Sequence, residues 1–417
     1  MKTYFNFILP LSIFCLCIFF GINCVKPDSK ILTGLDILEN SDFGFLKEKR
    51  VGLITNQTGL NQNGIQNVNL FLASPNVQLK AVFSPEHGFE GMVQAGEKIN
   101  SISNSPSGIP YYSLYGKTRK PSKEMLQGLD ALVFDIQDIG IRSYTYNSTM
   151  GLAMEAAGEM GIEFIVLDRP NPLGGEKIEG NILNREFSSF IGMYPIPYIH
   201  GLTTCELASL INKKGWVKSS CKLTVVNMEN WQRKMIWEDT KLEWIAPSPN
   251  VPTSITPQYM AATGILGELG VFSIGIGTEK PFEFIGAPWI NKIEMAEKMN
   301  HLKLSGVSFN PITFSPTKGL FQDEEVNGIQ LHISNFEQAE LLKIQFYFMV
   351  AHDELYPNKN PFKLATKSQL NMFDNALGTD QFRLVFSDDF NINYIEYFLK
   401  KIDSNFIEMK KQAHLYE

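Results

Sequence analysis

Cysteine is scarce in this chain, and the motifs of several common enzyme classes are missing. None of the five cysteines has CxxC spacing, so neither a zinc site nor a dithiol redox site is indicated. No GxGxxG or GxxxxGKS/T stretch follows a predicted strand, and no GxSxG stretch marks a serine-hydrolase elbow. We expect no cofactor and no metal. Cys205 and Cys221 form either a disulfide or buried thiols.

The charge balance and composition also restrict the functions open to the chain. Its net charge is −7 at pH 7 and it has no block of lysine and arginine, which argues against a nucleic-acid partner. Hydrophobic residues make up 44% and charged residues 19% of the chain, a balance typical of a globular protein with a substantial core. The 417 residues suit either two domains or one large domain.

The N-terminal apolar run is typical of a signal peptide. Lys2 precedes residues 7–22, which are few for a membrane span, and Cys24 follows. We expect residues 1–24 to be a signal of the bacterial lipoprotein kind, which places a lipid anchor on Cys24 and the protein outside the cytoplasm. Asn23 departs from the small residue usual before such a cysteine, so ordinary cleavage or an uncleaved anchor stays open.

Four apolar segments that end in polar residues predict one edge of a parallel sheet. They lie near residues 50–55, 77–83, 130–135 and 163–168, with helical patterns near 65–74, 121–128 and 145–160. This alternation indicates a parallel sheet covered by helices. Because the loops beyond the carboxyl ends of such strands form the ligand crevice, we expect the polar residues there to share one cleft.

Residues 84–91, Ser-Pro-Glu-His-Gly-Phe-Glu-Gly, are the most informative of these strand ends. In the strand before them, apolar residues alternate with polar ones, so one face is predicted to be buried. Glu86 and His87 then place a carboxylate beside an imidazole in the predicted cleft. Such a pair suits acid–base chemistry or ligand binding.

The proline-rich residues 247–253 mark the predicted domain junction. We assign residues 33–246 to a Rossmann-like α/β subdomain and residues 247–417 to a smaller α+β subdomain. In the second we expect strands near 271–276, 327–333 and 380–386 and helices near 290–302, 335–350 and 390–412. Thr203 and Glu206 have capping-box spacing, so we interpret Glu206 as a helix cap rather than a catalyst.

Short motifs along the chain together resemble one known family. They are GLITNQTG at 52–59, SPEHG at 84–88, YSLYG at 112–116, FDIQD at 134–138, LDRPNPLGG at 167–175, YPIP at 194–197, HG at 200–201, PSPN at 247–250, PFE at 281–283 and GAPW at 286–289. In this order they resemble the bacterial exo-β-N-acetylmuramidases, glycoside hydrolase family 171, formerly a domain of unknown function. The resemblance implies a Rossmann-like N-terminal subdomain, a smaller C-terminal subdomain and an active site in the cleft between them.

One stretch departs from the family pattern. Many members carry Glu-Gly-Thr-Asn followed by Gly-Arg-Gly-Thr. This chain keeps Glu268 and Thr278 but has Val271 in place of the Asn and Ile276 in place of the Arg. If the family Arg holds an anionic sugar, the substrate or the affinity of this chain differs.

The resemblance implies hydrolysis of a glycosidic bond, which generally needs two carboxyl groups. One protonates the leaving oxygen, and the other attacks or activates water. Glu86 is the first candidate for the acid, with His87 to orient it; the alternative is that Glu86 binds backbone amides of its own turn. Asp135, Asp138 and Glu268 are candidates for the second role. A substrate-assisted route, in which the acetamido group of the sugar attacks, stays open.

Other residues of the motifs are candidates for binding the sugar. N-Acetylmuramic acid carries a lactyl carboxylate, for which Arg142 and Arg169 are the candidate cations, with ion pairs within the protein as the alternative. Asp168 is a further candidate, or a partner for either arginine. The remaining binding candidates are Asn56, Gln57, Tyr144, Asn171, His200 and Asn250, and Tyr112, Tyr115 and Tyr146 are candidates for a stacking wall. Turn-stabilising hydrogen bonds or core packing are the alternatives.

The resulting hypothesis is an extracytoplasmic glycosidase that releases N-acetylmuramic acid from the non-reducing ends of peptidoglycan fragments. Its expected partners are peptidoglycan-derived saccharides and, through Cys24, a membrane. Two alternatives stay open: a non-catalytic lipoprotein that binds cell-wall sugars, and a hydrolase of another bond such as an ester.

Overall fold

The computed structural model describes residues 30–101, 108–400 and 403–417. The predicted signal peptide and Cys24 lie outside these residues. Within the described part of the chain, no helix is both long enough and apolar enough to cross a membrane.

A six-stranded parallel sheet organises the N-terminal part. Its strands are β1 (Arg50–Thr55), β2 (Gln78–Ser84), β3 (Tyr111–Ser113), β4 (Ala131–Asp135), β5 (Glu163–Leu167) and β6 (Lys222–Val226). Their spatial order is β3-β2-β1-β4-β5-β6, and each neighbouring pair is parallel. The chain winds outward from β1 in one direction and from β4 in the other. The predicted Rossmann-like sheet is therefore confirmed, and its switch point lies between β1 and β4.

Helices cover both faces of this sheet. They are α1 (Gly34–Asn40), α2 (Asn67–Ala73), α3 (Lys123–Leu126), α4 (Tyr146–Met160), α5 (Thr204–Lys213) and α6 (Trp237–Thr240), with 3-10 turns at Gly44–Leu46 and Arg185–Phe187. The side chains of Thr203 and Glu206 form the capping box of α5, as predicted. A second capping box, from Thr33 and Asp36, begins α1.

The two faces of the sheet belong to two hydrophobic clusters. Leu53 and Val133 pack with residues of α1 and α2 on one face. Ile54 and Phe134, the next residues along each strand, belong to a larger cluster that also contains the helices of the second part. This alternation follows from the two-residue period of a strand. The two parts of the chain therefore share one core.

The C-terminal part contains a smaller antiparallel sheet and a set of helices, as the predicted α+β class requires. The strands β7 (Phe284–Ala287), β8 (Val307–Phe314) and β9 (Val326–Ile333) lie in the order β7-β9-β8. The helices are α7 (Thr256–Gly267), α8 (Lys292–His301), α9 (Leu341–Leu355), α10 (Pro361–Leu364), α11 (Lys367–Leu377), α12 (Gln381–Asp389), α13 (Ile392–Leu399) and α14 (Ser404–Lys411). Helix α7 packs on α9 at the boundary with the first part.

Two predicted strands of the second part are wrong. Residues 380–386 belong largely to α12, in which Phe382 and Phe386 are buried four residues apart, so the period is helical. Residues 271–276 form an irregular segment with a single bridge between Ser273 and Gly286. The predicted helix at 390–412 contains two helices, α13 and α14. The sequence interpretation also missed four strands and four helices, which are β3, β6, β7 and β8 and α6, α7, α10 and α11.

The C-terminal tail returns to the first part of the chain. The Tyr416 hydroxyl donates to Asp168 Oδ2 at 2.6 Å and accepts from the Met228 amide at 2.9 Å. The Leu415 amide donates to Glu206 Oε1 at 3.0 Å, which ties the tail to the start of α5. Next to this contact Cys205 is a buried free thiol; Cys221 is also free.

Candidate active site

A cavity of about 680 Å³ lies where the strand ends of the sheet face the second part of the chain. One wall comes from the turn after β2, the loop after β3 and the segment before α4. The other comes from α7 and the irregular segment that follows it. Its polar side chains are Glu86, His87, Tyr115, Arg119, Ser143, Tyr144, Thr145, Ser189, Tyr198, Ser248, Asn250, Glu268, Ser273 and Asn375. Its larger apolar ones are Phe190, Ile191, Val251, Met260, Phe272, Ile274, Ile276, Phe282, Leu320 and Met372.

Glu86 lies in the turn directly after β2 and is only 6% exposed. Its Oε2 accepts a hydrogen bond from Thr145 Oγ1 at 2.8 Å, and its Oε1 accepts one from the Gly96 amide at 3.0 Å. One donor comes from the segment before α4 and the other from ten residues further along the loop after β2. The carboxylate is therefore fixed by two separate parts of the chain.

His87 follows Glu86 in the left-handed region, with φ of 71°, and Gly88 after it has φ of 80°. This turn places the imidazole in the cavity wall beside Glu86. His87 Nδ1 lies 2.6 Å from the Val93 carbonyl oxygen. Because a carbonyl only accepts, Nδ1 carries a hydrogen, and in the neutral ring Nε2 has the lone pair.

Glu268 ends α7 on the opposite side of the cavity. Among the residues that the structure describes, no donor or cation contacts its carboxyl group. Burial disfavours the charged form and raises the pKa of Glu268 to about 7. At neutral pH a large fraction of this carboxyl group therefore keeps its proton. The cavity thus holds two carboxyl groups in different environments, one with two donors and one with none.

Tyr115 and Arg119 extend the wall beside Glu86. The guanidinium carbon of Arg119 lies 4.2 Å from the centroid of the Phe190 ring and 5.2 Å from that of Tyr115. The pKa of Tyr115 is raised, first by burial and then by the negative charge of Glu86, while Arg119 acts in the opposite direction. The Tyr115 hydroxyl thus lies close enough to both charged groups for each of them to affect its pKa.

Tyr144 and Asn250 are the other predicted binding residues that line the cavity. The Tyr144 ring packs edge-to-face on Tyr146 with centroids 4.7 Å apart, and burial raises the pKa of its hydroxyl well above the usual value. The Tyr146 hydroxyl in turn donates to the Pro247 carbonyl at 2.5 Å. The start of α4 is therefore anchored to the proposed domain junction by one of the predicted tyrosines.

Asp135 and Arg169 form a buried ion pair outside the cavity lining. Arg169 Nε donates to Asp135 Oδ1 at 2.6 Å, and the two side chains are 7% and 0% exposed. Asn67 donates to the other carboxylate oxygen at 2.7 Å. Arg169 therefore forms an ion pair within the protein, which was the alternative to its binding the lactyl carboxylate of the sugar. The end of β4 and the loop after β5 are joined by this pair.

Arg142 is also occupied within the protein. Its guanidinium donates to the carbonyls of Asn181 and Ile196 and to those of Ala376 and Leu377, at 2.7 to 3.0 Å. It therefore links the first part of the chain to the end of α11. Burial lowers the pKa of Arg142 to about 10.

Asp138 lies behind the cavity wall rather than in its lining. Its Oδ2 accepts from the Gly140 amide at 2.8 Å, and burial raises its pKa to about 7. The Gly140 backbone has φ of 78°, and a Cβ there would lie 2.2 Å from Asn171 Oδ1. This tight turn explains the glycine.

Three further candidates stabilise the loops between β5 and the start of α5: Asp168, Asn171 and His200. Asp168 accepts from Thr203 Oγ1 at 2.7 Å and from the Cys205 amide at 2.9 Å, and burial raises its pKa to about 6. Asn171 donates to the Leu202 carbonyl at 2.9 Å. His200 is 1% exposed, and burial lowers its pKa to about 3, so its ring is neutral near pH 7. None of the three lines the cavity.

Asn56 and Gln57 hold the loop after β1. Asn56 Oδ1 accepts from the Thr58 hydroxyl at 2.6 Å, while its Nδ2 donates to the Tyr146 hydroxyl at 3.2 Å. Gln57 Nε2 donates to the Ala246 carbonyl at 2.7 Å. Both residues therefore support the cavity wall from behind.

The sequence interpretation missed several lining residues, notably Arg119, Thr145, Ser248 and Phe190. Thr145 follows the candidate Tyr144 and lies directly before α4. Its role depends on its hydrogen bond to Glu86, which lies 59 residues away in the turn after β2, and local sequence patterns do not indicate such a contact. Arg119 lies just after the motif at 112–116, and its partner Phe190 lies far along the chain. Ile276, at the position of the family Arg, lines the cavity with an apolar side chain.

No group of three or more His, Cys, Asp or Glu side chains suited to hold a metal ion occurs within residues 30–101, 108–400 and 403–417.

Comparison with known proteins points to one family. The model described as exo-β-N-acetylmuramidase NamZ, N-terminal, matches residues 51–255, and the corresponding C-terminal model matches residues 258–416. The chain is 41% identical over 423 residues to the peptidoglycan β-N-acetylmuramidase NamZ of Bacillus subtilis, covering all of both chains.

Two crystal structures of DUF1343 family proteins from Bacteroides fragilis have the same fold. The first has a TM-score of 0.89 and 43% identity and covers 94% of this chain and 100% of its own. The second has a TM-score of 0.73 and 28% identity and covers 93% and 99%.

Proposed function

The chain belongs to the exo-β-N-acetylmuramidase family, and from this premise we propose that it is a glycosidase that releases N-acetylmuramic acid from the non-reducing ends of peptidoglycan fragments. The observation that carries the proposal is the pairing of Glu86 and Glu268 in one cavity of about 680 Å³. Two carboxyl groups with different environments are what acid-assisted glycoside hydrolysis needs.

We assign the general acid to Glu268. Burial raises its pKa to about 7, and no cation stabilises its charged form among the described residues, so it retains a proton to give to the leaving oxygen. The sequence alone favours Glu86 for this role; the burial of Glu268 without a donor among the described residues supports the opposite assignment. A carboxylate that accepts two hydrogen bonds is suited to act as a base or nucleophile instead.

Glu86 and its neighbours would act on the face of the sugar opposite the leaving group. Its fixed carboxylate is placed to attack the anomeric carbon, to activate water or to orient the acetamido group of the substrate. Thr145 holds Oε2 and the Gly96 amide holds Oε1, so the carboxylate keeps its orientation while the substrate binds. With Nδ1 committed to the Val93 carbonyl, the other ring nitrogen of His87 is left to contact a substrate hydroxyl.

The proposal includes a location outside the cytoplasm, with a lipid anchor at Cys24. It rests on the apolar run at residues 7–22 and the cysteine that follows, and on the extracellular position of peptidoglycan. Fractionation of the producing cells tests it: the protein should be in the membrane fraction, and Cys24→Ala should release it. Recovery of the wild-type chain from the cytoplasm would contradict this part.

The reaction is tested by incubating residues 25–417 with the disaccharide of N-acetylmuramic acid and N-acetylglucosamine, followed by mass spectrometry. We expect free N-acetylmuramic acid from the wild type and none above background from Glu86→Gln. Binding of the disaccharide without release by the wild type would instead support a non-catalytic sugar-binding protein.

A further inference from the structure

The cavity has one cationic side chain among its described lining residues, and this cation has no carboxylate partner. Arg119 is exposed to solvent on the wall that carries Glu86. No acidic side chain of the described ranges forms an ion pair with it. Arg142 and Arg169, by contrast, are buried and committed to carbonyl groups and to Asp135.

Two aromatic rings fix the orientation of this cation. The Arg119 guanidinium lies over the rings of Phe190 and Tyr115, which are themselves 5.8 Å apart, and we call these two rings the aromatic shelf. Stacking on an aromatic face restricts a guanidinium plane and leaves its N–H edges available for a planar anion. An arginine held in this way loses less conformational entropy when the ligand binds, because its orientation is already restricted.

We propose that Arg119, held on the aromatic shelf, binds the lactyl carboxylate of the sugar and so selects N-acetylmuramic acid over N-acetylglucosamine. This rests on the proposed function, because it assumes that such a sugar occupies the cavity. A guanidinium binds a carboxylate through parallel N–H donors, which gives directional as well as charge recognition.

The position of Arg119 suits the structure of the sugar. The lactyl ether is attached to carbon 3, two carbons from the anomeric carbon, so its carboxylate has to lie close to the catalytic groups without contacting them. The pKa of Tyr115 responds to both Glu86 and Arg119, and the Arg119 guanidinium carbon lies 5.2 Å from the centroid of the Tyr115 ring, so both charged groups lie near this side chain. Glu86 is thus close to Arg119 but is satisfied by Thr145 and Gly96, which leaves the arginine for the ligand.

Among the described residues that line the opposite wall there is no cation; the nearby Lys318 is not in the lining and donates to Gln94 Oε1 at 2.8 Å. Ile276 contributes an aliphatic side chain, and Phe272 and Met372 are also apolar. An anionic ligand group would therefore be expected on the Arg119 side, where it also avoids the desolvated Glu268. The cavity consequently sets the orientation of the ring as well as the preference for the acidic sugar.

The test compares two aryl glycosides that differ only in charge. One carries N-acetylmuramic acid, and in the other the lactyl carboxyl is converted to its primary amide. We expect Arg119→Gln to lower kcat/KM for the acid by about 10- to 100-fold, as for a lost charge-assisted hydrogen bond, and for the amide by less than about threefold. Arg119→Lys keeps the charge and should recover part of the loss.

The matched control is Arg185→Gln, which removes an exposed arginine outside the cavity lining and should change neither substrate. Equal losses of kcat/KM on the acid and the amide in Arg119→Gln would overturn the proposal, as would no loss on either.

A wild type that cleaves neither glycoside would count against the proposed function rather than against this inference. Calorimetry with free N-acetylmuramic acid and its lactyl amide then decides the inference alone. We expect the wild type to prefer the acid and Arg119→Gln to lose that preference. A preference that survives in Arg119→Gln, or that the wild type lacks, would refute the role of Arg119.

Discussion

At the scale of single residues, the decisive feature is the contrast between Glu86 and Glu268. Glu86 is buried and Glu268 is half-buried, but only Glu86 has hydrogen-bond donors on its carboxylate among the described residues. Desolvation without a donor favours the protonated form, and it raises the pKa of Glu268 to about 7. The same residue type is thereby prepared for two different roles, which the identity of the residues alone could not assign.

The pKa of Glu268 gives a prediction for the pH dependence of activity. A general acid works only while protonated, so kcat/KM should fall as pH rises through about 7 and should be retained below it, until another group titrates. Steady-state rates on the disaccharide between pH 5 and 9 (about two units to either side of that pKa) measure this. An activity that increases through this range would contradict the assignment.

Residue identity predicted part of this site. Glu86, His87, Tyr115, Tyr144, Asn250 and Glu268 line the cavity, and Glu86 and His87 lie in a short motif at the end of β2. Arg119 was out of reach because its orientation depends on Phe190, which a different loop brings to the same wall. Sequence patterns report local chemistry, whereas such contacts depend on how distant loops meet.

At the scale of secondary-structure elements, polar strand ends serve two purposes. Only the end of β2 delivers a catalytic candidate to the cavity; the end of β4 delivers Asp135 to Arg169 after β5. Oppositely charged side chains that follow neighbouring strands neutralise one another. The sequence alone does not reveal which strand ends will form such ion pairs. For that reason the parallel sheet could be predicted more completely than the site.

Removing one member of the Asp135–Arg169 pair should reduce stability more than catalysis. Arg169→Met leaves a buried carboxylate without its cation, a change that costs about 3–5 kcal/mol. Denaturant unfolding measures the loss, and kcat/KM measured under folding conditions should stay within about threefold, because neither residue lines the cavity.

The matched control for this pair is Arg50→Met. Arg50 pairs with Asp130 at the surface, where the two side chains are 49% and 39% exposed, so its loss should lower stability far less than the loss of Arg169 does. An Arg169→Met protein with unchanged stability and a large loss of kcat would instead make Arg169 a binding residue.

The prediction of secondary structure failed where the spacing of apolar residues in the sequence resembled that of another type of element. Residues 380–386 contain alternating apolar residues, yet α12 buries only Phe382 and Phe386 and leaves Leu384 and Val385 exposed. Residues 271–276 are apolar because they line a cavity and a core, not because they form a strand. In both cases tertiary packing decided the structure.

At the scale of the whole molecule, the C-terminal tail packs against the first part of the chain. Tyr416 connects Asp168 at the end of β5 with the Met228 amide after β6. Helix α14 adds the Lys410 contact to the Gly175 carbonyl. The second part therefore stabilises the sheet at the ends of β5 and β6, and the two parts are expected to unfold together.

Tyr416→Phe tests this connection. It removes two hydrogen bonds at a part-buried site and should lower the free energy of unfolding by about 1–3 kcal/mol in a single transition. Tyr397→Phe is the control, because Tyr397 is 76% exposed and its loss should change stability by less than about 0.5 kcal/mol. Two separate unfolding transitions in the wild type would contradict the shared core.

The central claim is that Glu268 protonates the leaving oxygen while Glu86 acts on the sugar, and leaving-group dependence tests it most directly. A dinitrophenyl glycoside of N-acetylmuramic acid departs without a proton, whereas the disaccharide needs one. Glu268→Gln should therefore lose about 10²- to 10⁴-fold in kcat/KM on the disaccharide but less than about tenfold on the dinitrophenyl glycoside, while Glu86→Gln loses activity on both. Equal losses on the two substrates in Glu268→Gln would contradict the assignment of the acid.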